Sequence, residues 1–221
     1  MIAIHQPNYL PWLGFFDKAR ISDTFVLLDN VSFTRGSVIN RNKIRTKKGW
    51  QWLTIPVHHR SGINIRDVLT VNSAWEQTHW KTLMFNYSRA PYFHDFAPLL
   101  REIYSKRWVK MAELNEVLIR AMFDCFSLTP RILRASDLAI QGNGSELLVD
   151  ICRTVGDREY LSGIGAKEYL DLSVFERNSI SVRFQQFAVP RYRQLFGRFV
   201  PNLSAIDYLF NCGRAKWWSK G

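Results

Sequence analysis

The sequence predicts an α/β fold: a short, mostly parallel sheet with helices on both faces, Rossmann-like, plus an inserted helical layer. Three observations predict it. An apolar strand, a helix and a second apolar strand follow one another within the first thirty residues. Strand and helix patterns alternate again after residue 130. Between them, residues from about 73 to 128 carry helical periodicity. With 221 residues, 47% of them hydrophobic, the chain can bury a full core. Residues 1–221 read as a single α/β domain with a mainly helical segment at about 73–128.

Residues 1–5 (MIAIH) read as a short buried strand and residues 13–21 (LGFFDKARI) as a helix. Residues 24–29 (TFVLLD) are a continuous apolar run ending in Asp, the pattern of a strand covered on both faces. Strand, helix and strand in that order suggest a βαβ unit. A third strand is expected at 51–57 (QWLTIPV), after a loop at 33–49. Residues 73–88 and 92–126 are helical in pattern and broken at Pro91. A short strand at 131–135 precedes an amphipathic helix at 144–155 (GSELLVDICRTV), with Ser145 as its N-cap and Gly156 as its stop. Then come a strand at 159–161, a Gly-bearing turn, a helix, an alternating strand at 180–186 and a last helix at 203–211 with Asn202 as its N-cap. The tail 214–221 is basic and aromatic.

The formal net charge of +11 favours phosphates, nucleic acid or an anionic membrane surface and does not choose among them. Lys and Arg are spread along the chain, densest at 41–48 (RNKIRTKK). Cys125, Cys152 and Cys212 are far apart and form no CxxC pair, which points to reduced thiols in a reducing compartment. The first residues do not form a signal peptide, and no apolar run approaches the ~18 residues of a membrane span. A cytoplasmic location is therefore expected. No HExxH, EF-hand or GxSxG motif occurs, and His58-His59 lacks nearby acidic or Cys partners, so no metal site is expected.

In open parallel sheets ligands bind beyond the carboxyl ends of the strands, and three clusters fall there. The first is the loop 5–12. His5 stands at a strand end, Gln6, Asn8 and Tyr9 supply neutral polar groups, Trp12 an aromatic face, and Pro7 and Pro11 stiffen the turn. The second is Asp29-Asn30 with the loop 33–48. There Arg41, Lys43 and Arg45 alternate with Asn42 and Ile44, which places the bases on one side of an extended segment. The third is Ser162, Gly163, Gly165 and Lys167, a turn whose backbone N–H groups suit an anion. A fourth, weaker cluster is Gln185, Gln186, Tyr192 and the turn 201–204. The expected roles are His5 as proton acceptor oriented by Asp29. Gln6, Asn8, Tyr9, Trp12, Asn30, Arg41, Asn42, Arg45, Ser162, Gly163, Gly165 and Lys167 are expected to bind substrate.

Residues 4–33 (IHQPNYLPWLGFFDKARISDTFVLLDNVSF), then 40–57 (NRNKIRTKKGWQWLTIPV), then YLSGIGAKEYLD and PNLSAIDYLFNCG further on, resemble the WbqC-like family. The likeness is sharpest at HQPNYLPWLG and weakest in the middle helices. The resemblance implies a transferase of bacterial surface-polysaccharide synthesis, such as O-antigen of lipopolysaccharide. It would attach an aminoacyl (for example glycyl) or acyl group to a nucleotide-linked amino sugar. No catalytic residue carries over from the family; the roles above come from the residues themselves. The implied partners are a nucleotide sugar or other phosphorylated small molecule, with an acyl carrier protein or an aminoacyl-tRNA as donor. ATP with magnesium, or a carrier-bound acyl donor, is the cofactor class in view. Two alternatives stand beside this reading. One is ATP-dependent adenylyl or nucleotidyl transfer, since the strand–loop–helix–strand layout is similar to that of nucleotidyltransferases, although their HxGH signature is absent. The other is a non-catalytic module that binds RNA or a protein complex through 41–48 and the tail 215–220.

Overall fold

The computed structural model describes residues 1–218, so the end of the basic tail, 219–221, lies outside the described residues. The elements in chain order are β1 (Ile2–His5), α1 (Leu13–Arg20), β2 (Thr24–Leu27), β3 (Arg41–Thr46), β4 (Gly49–Thr54), α2 (Trp75–Tyr87), α3 (Phe93–Ser105), α4 (Met111–Cys125), β5 (Arg131–Arg134), α5 (Gly144–Val155), β6 (Glu159–Ser162), α6 (Leu172–Arg177), β7 (Ser181–Phe184) and α7 (Ala205–Cys212). Five strands form one parallel sheet in the order β5-β2-β1-β6-β7. The chain builds outward from β1 in one direction, then returns and builds outward in the other. This is the doubly wound, Rossmann-like α/β arrangement that the sequence predicted.

The two faces of the sheet follow from the two-residue period of a strand. Ala3, Phe25, Leu27 and Leu161 point into a large core shared with α1, α2, α3, α4 and α7. Ile2, Ile4, Val26 and Tyr160 point the other way, against α5 and α6. Phe15, Phe16, Phe25 and Phe123 meet edge to face or tilted at the centre of the first core, the geometry aromatic quadrupoles favour. Gly156 ends α5 at φ +85°, a conformation a Cβ would disfavour. Asn143, not Ser145, is the α5 N-cap; the Ser145 hydroxyl accepts from the Asp171 N–H instead. Ser204, not Asn202, caps α7.

The strand expected at 51–57 is not the third strand of the main sheet. Residues Gly49–Thr54 pair antiparallel with Arg41–Thr46, inside the segment expected to be a loop, as a separate hairpin. The third parallel strand is β5, paired with β2 from Thr24–Arg131 to Leu27–Arg134. A sequence pattern reports that a segment is extended and covered; it does not report which edge the segment pairs with.

The loop after β1 is held from every side. Asn42 Nδ2 donates to the Tyr9 and Leu10 carbonyls at 3.3 and 2.7 Å. Asn115 Nδ2 donates to the Pro7 and Ile39 carbonyls. These bonds fix Leu10 at φ +42°, a strained position for a branched side chain. The Tyr9 hydroxyl lies 2.8 Å from His79 Nδ1 and bonds the Tyr104 hydroxyl, while His79 Nε2 faces the Thr54 carbonyl at 3.1 Å. A carbonyl only accepts, so Nε2 carries the proton and Nδ1 accepts from Tyr9. The network needs a neutral imidazole, and burial pushes the His79 pKa down to about 4. An unfolded His titrates near 6.5, so below that pH the unfolded chain binds a proton that the folded chain refuses. Stability falls as pH drops from about 6.5 towards 4. Between pH 7.5 and 5, His79 alone is expected to remove about 2 kcal/mol. Urea melts at the two pH values check this, and a His79→Gln variant with the same pH slope as the wild type would disprove it.

Candidate functional site

β1 pairs with β2 along its full length, from Ile2–Thr24 to His5–Leu27. Its pairing with β6 stops at Ile2–Tyr160 and Ala3–Leu161. Beyond that point the strands part, because the chain leaves β1 towards one side of the sheet and β6 towards the other. This is the switch point of the topology, where open α/β sheets hold their ligands. A cavity of about 420 Å³ opens there, lined by His5, Gln6, Lys18, Tyr160, Ser162, Gly163, Gly165, Tyr169 and the α5 start at Gly144–Ser145, among others. His5 and Gln6 of the first cluster and Ser162, Gly163 and Gly165 of the third, more than 150 positions apart in the chain, converge on this one crevice.

Lys18 is the residue the sequence reading missed. It lies on α1, is 3% exposed, and reaches the splayed strand end to donate from Nζ to the Ile4 carbonyl at 3.1 Å. That carbonyl lies where β1 and β6 have stopped pairing, so the ammonium takes the place of a ladder donor. Among the described residues no carboxylate lines the crevice, and burial pushes the Lys18 pKa down to about 7. Nothing in FFDKAR separates Lys18 from a solvated surface lysine; only the burial of nearly the whole of α1 does. His5 is half-buried, with Nδ1 2.9 Å from the Gln6 carbonyl and its ring edge-on to Phe15. Loss of hydration, then the charge of Lys18, hold its pKa far below the ordinary value, so it is neutral at working pH. The Ser162 hydroxyl is buried beside the Tyr160 phenol but completes no hydrogen bond of ordinary geometry among the described residues. Tyr169 is 77% exposed at the mouth.

The other expected site residues stand elsewhere, each for a visible reason. Asp29 does not orient His5. Its carboxylate accepts from the Ser136 N–H and hydroxyl at 2.9 and 2.7 Å and lines a second cavity of about 290 Å³ with Arg66, Lys110, Glu113, Glu116 and Arg134. Asn30 donates to the Ile140 carbonyl and so ties the run into α5 to the end of β2. Asn8 and Tyr9 are buried. Trp12 packs on Phe187 and covers Gly14 so closely that a Cβ there would sit 2.4 Å from the indole; this explains the Gly in PWLG. Asn42 holds the β1 loop. Arg45 is 3% exposed and spends its guanidinium on the carbonyls of Thr46, Gly49, Phe196 and Arg198. Arg41 lies over Trp52 on the hairpin, and Lys167 over Phe184. In the fourth cluster, Gln185 donates to the Gly14 carbonyl and the Asp17 carboxylate, and Tyr192 to Asp207. All of these arise from pairings between distant segments that no local pattern encodes.

Fold and crevice define an α/β protein with a doubly wound parallel sheet and a candidate site in the cavity at its switch point. The chain belongs to the WbqC-like protein family, whose model matches residues 6–217. It is 35% identical over 216 residues to the uncharacterized protein Rv1507c of Mycobacterium tuberculosis, covering 96% of this chain and 94% of that protein. No solved structure matches it. Among the described residues, no helix is long and apolar enough to cross a membrane.

Proposed function

We propose that this protein is a transferase that binds a nucleotide-linked amino sugar in the β1–β6 crevice and acylates its amine. The product would be a building block of bacterial surface polysaccharide, as the WbqC-like resemblance implies. The observation that carries the reading is the crevice itself: a carboxylate-free cavity at the switch point, with one buried lysine and glycine turns facing it. The N–H groups around Gly163 and Gly165 and at the start of α5 suit a diphosphate, and Tyr169 at the mouth suits a base. In the transfer, the sugar amine attacks the carbonyl of an activated aminoacyl or acyl donor. The new C–N bond forms, the bond to the donor's leaving group breaks with its electron pair, and the amine gives up a proton. Neutral Lys18 is the acceptor best matched to that proton, with neutral His5 beside it as a hydrogen-bonding group. Among the described residues the lining offers magnesium no carboxylate, its usual protein ligand, so the adenylyl-transfer alternative gains no support from this crevice.

Calorimetric titration with UDP and UDP-linked amino sugars tests the reading. Binding in the micromolar to millimolar range is expected. A carboxylate placed by Gly165→Asp, where an added Cβ meets nothing within 4 Å, is expected to weaken it about tenfold or more. No heat from any of these ligands at about 1 mM, roughly −4 kcal/mol of binding, would overturn the proposal.

A further inference from the structure

The positive charge is unevenly opposed. Residues 30–66 hold eight Lys/Arg and no Asp/Glu, and residues 177–206 hold five Arg and no Asp/Glu. The remaining residues hold 17 Lys/Arg against 19 Asp/Glu, so the whole +11 excess arises in these two stretches. The fold joins them. Ser204 N donates to the Lys43 carbonyl at 2.8 Å, and Arg45 bonds the carbonyls of Phe196 and Arg198, so the second stretch runs along β3.

The β3–β4 register sets Lys43 opposite Trp52 and Arg45 opposite Trp50. On that face the Arg41 guanidinium lies 4.2 Å from the Trp52 ring centre. Lys43 Nζ lies 4.4 Å from Trp50 and 5.2 Å from Trp52. Trp50 is 44% and Trp52 37% exposed, large indoles left in water on a hairpin with a core available. Lys47 and Lys48 stand exposed at its turn, and Arg193 and Arg198 on the neighbouring stretch. None of these cations forms an ion pair with a described residue. Trp50 and Trp52 line neither cavity at the carboxyl end of the sheet.

We infer that the β3–β4 hairpin is a docking platform for single-stranded nucleic acid, separate from the crevice and independent of the proposed transfer. The occupant follows from the chemistry. Exposed cations without ion-pair partners call for a polyanion, and exposed indoles call for planar groups to stack on. An acidic polysaccharide offers charge without aromatic faces, and a duplex hides its base faces in the stack. A single strand offers phosphates and free bases together.

The test is fluorescence anisotropy of a labelled twelve-residue oligouridylate with the full chain. Binding is expected to weaken steeply between 50 and 200 mM salt, about fiftyfold if some four phosphates are neutralised. Trp50→Ala with Trp52→Ala is expected to lose tenfold or more, since each stacked base contributes about 1–3 kcal/mol. Both side chains are exposed, so circular dichroism should show an unchanged fold; Lys47→Glu with Lys48→Glu is a second variant, expected to flatten the salt slope. The inference is overturned by no binding at 50 mM salt, or by a double Trp variant that binds as tightly as the wild type. Equal competition by heparin and by unlabelled oligouridylate would overturn it too, because that equality shows charge attraction without stacking.

Discussion

Lys18→Met is expected to give a more stable protein that is strongly impaired in the proposed transfer. The unfolded chain carries a lysine of ordinary pKa, while in the folded chain burial pushes it down to about 7. At any pH up to about 7 folding therefore carries the full cost of placing this group out of water; the cost declines as pH rises from about 7 to 10.5 and is gone above that. A methionine of similar length removes it and loses the bond to the Ile4 carbonyl, about 1–1.5 kcal/mol. The expected net gain at pH 7 is about 3 kcal/mol by urea unfolding, and the rise of stability between pH 7 and 10 should flatten. Activity should respond in the opposite direction. The free amine is the form that accepts a proton, so wild-type kcat should climb through pH 7 and level off above it. Lys18→Met and Lys18→Arg, the second of which never gives up its proton, should both lower kcat by 10² to 10⁴. Turnover within about threefold of wild type in Lys18→Met would remove Lys18 from the reaction.

Asp207→Ala should be among the most destabilising single changes in the chain, by about 3–5 kcal/mol. Asp207 is fully buried and accepts from the Tyr87 hydroxyl at 3.0 Å, the Tyr192 hydroxyl at 2.7 Å and Gln194 Nε2 at 2.9 Å. The Tyr87 hydroxyl in turn accepts from the Arg45 N–H at 2.7 Å. One carboxylate thus fastens α7, α2, β3 and the 192–200 segment together. Alanine leaves the buried Tyr87 phenol and the half-buried Tyr192 phenol without that acceptor. Asp207→Asn keeps one acceptor oxygen but turns an amide against a donor, so about half the loss is expected. The change should appear as a lower urea midpoint at an unchanged slope, with faster proteolysis at 191–199. A loss under 1 kcal/mol would show that water replaces the carboxylate.

The central strands β1 and β2 were legible because a parallel strand buried on both faces is an apolar run. TFVLLD and MIAIH have no competing reading, and GSELLVDICRTV matches α5 residue for residue. The hairpin was misplaced because QWLT and RNKIR state extended backbone without naming a partner. Within the crevice, His5, Gln6, Ser162, Gly163 and Gly165 were legible for one reason: each follows directly from being at the carboxyl end of a strand, which is a local property. Arg45 and Asn42 looked like ligands because a basic or polar residue on an extended segment has the same local signature whether it faces solvent, substrate or a carbonyl. Lys18 was invisible for the converse reason.

The sequence by itself determined the α/β class, the strands that meet at the switch point, and the excess of positive charge. These rest on periodicity, turn chemistry and composition, which are written over a few neighbouring residues. Only the tertiary structure decided which polar groups face the crevice, that Asp29 opens onto a different cavity, that Lys18 is buried, and that two acid-free stretches lie side by side. Those outcomes depend on pairings across tens to hundreds of residues, such as Asn42 to Leu10, Arg45 to Arg198 and Lys18 to Ile4. A buried donor takes whichever acceptor the folded chain brings within 3 Å, and that choice is made by packing.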